Sequence, residues 1–231
     1  MKRLFLTFFL AFPLLVSAGD PLAPLEPLDH EIMRPPPFPK KWETNLSMLT
    51  ITAEKGSAEA QYNLAAHYIF AVGTTQDLTK AYRWLTNSAG KDFPPAQYTL
   101  GLLYKQGVGV VSNQIVADAW FQIAADQGYT PARHEMALKA DREGNRSLAL
   151  KLLHETAEKG YPSSQYLLGC IVPDPIESYL WLSLAAEGGL ENAGNRALQL
   201  RLTFTKEQLT EAEERLRKFK EKQSAKTPMP P

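Results

Sequence analysis

Four segments of this chain read alike when each is set to start from a small residue. They run Ala60-Gln61-Tyr62-Asn63-Leu64 through Tyr68, Ala96-Gln97-Tyr98-Thr99-Leu100 through Tyr104, Ala132-Arg133-His134-Glu135-Met136 through Ala140, and Ser164-Gln165-Tyr166-Leu167-Leu168 through Val172. A small residue, an apolar residue four later and a small one after it mark one face of a helix that a neighbour can approach closely. Each is followed by a second helical pattern: Asp77, Ala81, Trp84, Ser88-Ala89; then Asn113, Ala117, Trp120, Ala124-Ala125; then Asn145, Ala149, Leu152, Thr156-Ala157; then Asp174, Ser178, Trp181, Ala185-Ala186. Asp or Asn at the head of each is the residue expected to cap a helix N-terminus. Gly128, Gly160 and Gly189 follow three of the Ala pairs, and Asp92 holds that place in the first copy. That position requires a left-handed backbone, which Asp tolerates less well than Gly.

The spacing between copies shortens along the chain, and the shortfall falls in the link between the two helices. Asn113 comes nine positions after Tyr104, Asn145 five after Ala140, and Asp174 two after Val172. Loops tolerate deletion and packed helices do not, so the pattern predicts stacked helix pairs with variable connections. The expected architecture is an all-α fold, a right-handed α-solenoid of stacked antiparallel helix pairs with a C-terminal capping helix. In that cap, Thr205-Lys206-Glu207-Gln208 fits a capping box, and Leu209, Ala212, Leu216 and Phe219 form one apolar stripe. The chain is then expected to be disordered from Lys222 onward.

These residues resemble the Sel-one-like repeat family, relatives of the tetratricopeptide repeats. Ala96 to Gly128 carries the pattern most fully, with Gly107-Val108-Gly109-Val110 as its loop. Lys80-Ala81-Tyr82-Arg83-Trp84 matches the second helix of the first copy, and Thr52-Ala53-Glu54-Lys55-Gly56 resembles the end of a preceding one. The third copy departs from the pattern, having neither Tyr nor Trp, and the fourth has almost no loop. The resemblance implies adaptors and scaffolds that bind other proteins.

Ahead of the repeats, Lys2 and Arg3, an apolar run from Leu4 to Val16 and the small residues Val16-Ser17-Ala18 have the order of a secretory signal peptide. We expect residues 1–18 to be that signal, with cleavage after Ala18, and no transmembrane segment to remain. Residues 19–42 hold seven of the 17 prolines and read as a spacer. Residues 43–218 are assigned to the solenoid, and 219–231 to the helix end and tail. Basic and acidic residues balance at 25 each, without the basic excess of a nucleic-acid binder.

Chemistry-bearing motifs are scarce. The histidines make no metal-ligand spacing, Gly107-Val108-Gly109 lacks the strand–helix context of a dinucleotide loop, and no nucleophile elbow is present. Cys170 with His154 is the one nucleophile–base pair to weigh, and helix-packing register accounts for both. No cofactor or metal is expected, and the chain is read as non-catalytic. A solenoid offers an extended concave surface for another protein or peptide. First-helix positions predicted to line it are Gln61, Tyr62, His67, Gln97, Tyr98, Lys105, Arg133 and Lys139, with the tyrosine hydroxyls open to the groove. Export and binding together point to a periplasmic interaction protein. One version is an immunity protein neutralising a type VI secretion effector. An envelope-complex adaptor, a secreted host-interacting factor and a cell-wall hydrolase are the alternatives.

Overall fold

The computed structural model describes residues 46–226, so the signal and proline-rich segments, and the last five residues, lie outside the described part. Among the described residues there are eleven helices and no strand. Helix α1 (Leu46–Glu54) precedes four pairs: α2 (Ala58–Phe70) with α3 (Leu78–Ala89), α4 (Pro94–Gln106) with α5 (Gln114–Asp126), α6 (Thr130–Arg142) with α7 (Arg146–Glu158), and α8 (Pro162–Ile171) with α9 (Pro175–Glu187). Helix α10 (Glu191–Thr203) and α11 (Lys206–Lys226) complete the chain. From α1 to α10 each helix packs on the next, forming an α-solenoid, and α11 lies against α9.

The boundaries follow from local chemistry. Asp77, Asn113, Asn145 and Asp174 each accept a backbone N–H of the first turn of α3, α5, α7 and α9, satisfying donors that the helix itself cannot reach. After each second helix the backbone turns left-handed, at Gly128 (φ 84°), Gly160 (φ 82°) and Gly189 (φ 98°), with Asp92 (φ 56°) in the first copy. Proline then opens α4, α6 and α8, where its missing N–H costs nothing.

Pairs close tightly because the fifth residue after the first small one is itself small: Ala65, Gly101, Ala137 and Gly169. A Cβ at Gly101 would stand 2.5 Å from the Phe121 ring of α5, and one at Gly169 would stand 2.6 Å from Leu182 of α9. The fourth copy differs from expectation in one respect. Its first helix, α8, has 10 residues where α2, α4 and α6 have 13, so the helix as well as the loop absorbs the deletion. Pro173, just past Val172, lacks the N–H that would extend it.

The C-terminal cap forms as its sequence specifies. Thr205 N–H donates to Gln208 Oε1 at 3.0 Å and Gln208 N–H donates to Thr205 Oγ1 at 3.3 Å. Ala212 is buried, and Leu216 and Phe219 pack on the core of the last pairs. The helix continues to Lys226, past the expected onset of disorder at Lys222. Gln223 Nε2 holds this last turn to the Glu158 carbonyl of α7 at 2.6 Å.

Candidate functional site

The residue after the first small position ties each pair to the one before it. Gln61 Nε2 donates to the Ala53 carbonyl at 3.0 Å, Gln97 Nε2 to Ala89 at 3.3 Å, and Gln165 Nε2 to Ala157 at 3.1 Å. In the third copy Arg133 Nε makes the same bond, to Ala125 at 3.2 Å. Each bond satisfies a carbonyl in the last turn of the preceding second helix. The Arg therefore keeps the lock with one nitrogen and carries the rest of its guanidinium outward, where Nη1 lies 3.6 Å from Glu155.

Five of the eight expected binding residues face inward. Gln61, Tyr62, His67, Gln97 and Tyr98 are 5%, 7%, 4%, 1% and 8% exposed. The tyrosine hydroxyls do not open onto a groove as the sequence led us to expect. The aromatic residue preceding the next first helix lies over each ring: Phe93 over Tyr62 at 5.6 Å between centroids and Tyr129 over Tyr98 at 5.5 Å. Burial pushes the Tyr62 phenol up to about 12 and the Tyr98 phenol well above its ordinary value. His67 closes the turn after α2, its Nδ1 lying 2.7 Å from the Val72 carbonyl oxygen.

Three of the expected residues reach the surface. Lys105 of α4 bonds Glu135 of α6 at 2.8 Å, bridging two first helices. Arg133 and Lys139 come together in a cleft of about 550 Å³ between α5 and α7, floored by α6. Sequence register alone did not foresee the residues the second helices bring to it, among them Ala125 and Asp126 of α5 and Leu148, Lys151, Leu152 and Glu155 of α7. Met136 and Ala140 complete an apolar floor. The rim is charged in both signs: Lys139 sits 3.9 Å from Glu143 and Arg133 pairs with Glu155. Among the described residues Lys151 makes no ion pair.

The groups that chemistry would need stand apart. The Cys170 thiol accepts a hydrogen bond from Arg196 Nη1 at 2.6 Å, and the His154 ring packs edge-on against Trp181 at 6.1 Å. No hydrogen bond joins the two. His134 is sealed in the core, its Nδ1 2.8 Å from Ser164 Oγ, which lies 2.6 Å from Thr156 Oγ1. Burial pushes the imidazole down to about 4, so it is neutral at physiological pH. Among the described residues no group of three or more His, Cys, Asp or Glu could hold a metal.

Stacked helix pairs locked through a repeated side-chain-to-carbonyl bond, with a surface cleft and no assembled reactive groups described, define a helical-repeat scaffold of the tetratricopeptide kind. The chain belongs to the Sel1 repeat family: the family model matches residues 58–92, 94–129, 138–161 and 162–190, more than half of the sequence. The third match begins inside α6, after the Arg133-His134-Glu135 stretch that departs from the repeat. Sel1 repeats are generally non-catalytic interaction scaffolds.

Solved structures share the fold. One is c5321, a protective antigen present in uropathogenic Escherichia coli strains and displaying an SLR fold (TM-score 0.57, 32% identity, 66% of this chain and 35% of that one). Another is a Sel1 repeat protein from Oxalobacter formigenes (TM-score 0.56, 27% identity, 67% and 48%). A third is the immunity protein Pa5087 from Pseudomonas aeruginosa (TM-score 0.54, 18% identity, 80% and 77%). The matched region thus spans about a third to a half of the first two proteins. Comparison with curated proteins gave no match.

Proposed function

We propose that this protein is a non-catalytic scaffold that binds another protein in the bacterial periplasm, and that it acts there as an immunity protein against a toxin delivered by a type VI secretion system. The observation that carries the binding reading is the cleft at the third repeat: an apolar floor with a charged rim, on a framework whose buried glutamine amides lock one helix pair to the next. Such a site suits a protruding side chain of a protein surface. The signal-like order of residues 1–18 supports export, and no described helix is long and apolar enough to cross a membrane. The fold shared with the Pseudomonas aeruginosa immunity protein supports that use of the scaffold.

A competition experiment tests the immunity role. A strain lacking the gene should be outcompeted by its parent only while the parent's type VI apparatus is active, and supplying the gene should restore survival. Equal survival would remove the immunity role and leave the scaffold reading. The second reading, a host-facing secreted factor, draws on the resemblance to a protective antigen. It predicts the protein in culture medium rather than in the osmotic-shock fraction.

A further inference from the structure

We propose that the cleft between α5 and α7 is a socket for an aromatic side chain of the partner protein, flanked in that partner by a carboxylate. This rests on the interaction reading above and names the partner's chemistry.

The socket exists because the third repeat lacks its own ring. The second helices carry Trp84, Trp120 and Trp181 at one repeat position, and Leu152 at the same position in α7. Each indole fills the space beside the preceding pair. Trp84 packs on Leu49 and Ala53 of α1 and Leu64 of α2, and Trp120 packs on the cluster that holds Leu85, Ala89 and Leu100. Trp181 is buried among Ala149, Leu153 and Ala157 of α7. Leu152 packs against the core that holds Ala137 and Ala140 of α6 but is too small to fill the same space, and it lines the opening. The volume of about 550 Å³ falls within the roughly 300–1,000 Å³ of sites that enclose a small ligand.

Two more departures of this repeat line the same cleft. Met136 stands where the other first helices have Leu64, Leu100 and Leu168, and its flexible thioether adapts to an inserted ring. Arg133 stands where they have Gln; its Nε keeps the lock, and the rest of its guanidinium reaches the cleft beside Glu155. A guanidinium beside an aromatic face is attractive, and this protein already uses that contact at Arg83 with Trp84, 5.9 Å from the centroid. The charge requirement comes from Lys151. It lines the cleft, whereas the neighbouring cations Arg133 and Lys139 each have a carboxylate. Asp126, the third carboxylate of the lining, is held by the Gln122 amide, so an acidic residue next to the partner's ring supplies Lys151 with a counter-charge.

The test titrates the capped tetrapeptide Ala-Trp-Asp-Ala onto the purified chain and follows methyl resonances by NMR. Shifts should concentrate on Met136, Leu148 and Leu152. Replacing Trp in the peptide by Leu, or Asp by Lys, should weaken binding. Leu152→Trp fills the socket from within, as the other repeats do, and should fold and lose about tenfold or more of the affinity. Lys151→Glu, a surface change, should reverse the preference from the Asp peptide to the Lys peptide. Absence of shifts at those methyls, or equal affinity in Leu152→Trp, or an unchanged preference in Lys151→Glu, would overturn the socket. A native partner still bound by Leu152→Trp would overturn it too and leave the scaffold reading standing; failure of the wild type to bind any protein would sink the scaffold reading itself.

Discussion

Acidification should unfold this protein partly through one histidine. His134 is buried in α6 and hydrogen-bonded to Ser164. Burial is the main reason its imidazole is pushed down to about 4 from 6.5; Lys105 acts in the same direction, and the neighbouring Glu135 opposes. The Tyr161 ring, 5.1 Å away, seals another side. The unfolded chain takes up a proton below pH 6.5 that the folded chain refuses until near pH 4. Stability from this group is therefore fully present above 6.5 and is lost as pH falls toward 4. Between pH 7 and pH 4.5 the loss comes to about 2 to 3 kcal/mol, a large part of the margin of an ordinary domain. Urea unfolding of wild type and His134→Gln at the two pH values, at one ionic strength, measures it. Exposed carboxylates held low by their hydrogen bonds, such as Asp77 and Glu214, also lose stability in acid, but they do so in both proteins. His134→Gln should be less stable at pH 7 and should lose about 2 to 3 kcal/mol less on acidification. Parallel losses in the two proteins would refute the reasoning.

Other outcomes follow from the same contacts. Gly101→Ala forces a Cβ against Phe121 and should cost about 1–3 kcal/mol in chemical denaturation. Asp92→Gly removes a side chain from a left-handed position that the later repeats give to Gly; it should stabilise by up to about 1 kcal/mol, read as a raised Tm. Protein recovered from its native envelope should begin at Gly19, as intact mass will report, if residues 1–18 are a cleaved signal.

Much of the fold was legible because it is encoded locally. Asp77, Asn113, Asn145 and Asp174 cap the helices they precede, and Thr205 with Gln208 forms the box their spacing specifies. The left-handed turn at Asp92 was foreseeable from the glycines at the same place in other copies. The site was less legible because it depends on neighbours. Tyr62 and Tyr98 sit at surface-like register, and only the residue that opens the next pair, Phe93 or Tyr129, decides that they are covered. Gln61 and Gln97 look like free polar side chains until the carbonyls eight residues earlier are placed beside them. The missing Trp of the third repeat was visible in the sequence, but the cleft it leaves requires α5 and α6 as its other walls. The extra turn of α11 was hidden for a similar reason, since Gln223 is anchored by Glu158, 65 residues away.

The central claim is that this scaffold works by holding one protein partner, and affinity capture addresses it most directly. On the proposed location, residues 19–231, used as bait in a periplasmic fraction of the source organism and read by mass spectrometry, should retain a single protein in stoichiometric amount. Identification of that protein as a secreted toxin would fit the immunity role, and an envelope component would redirect it to assembly. A bait that retains nothing at low or moderate salt would contradict the account.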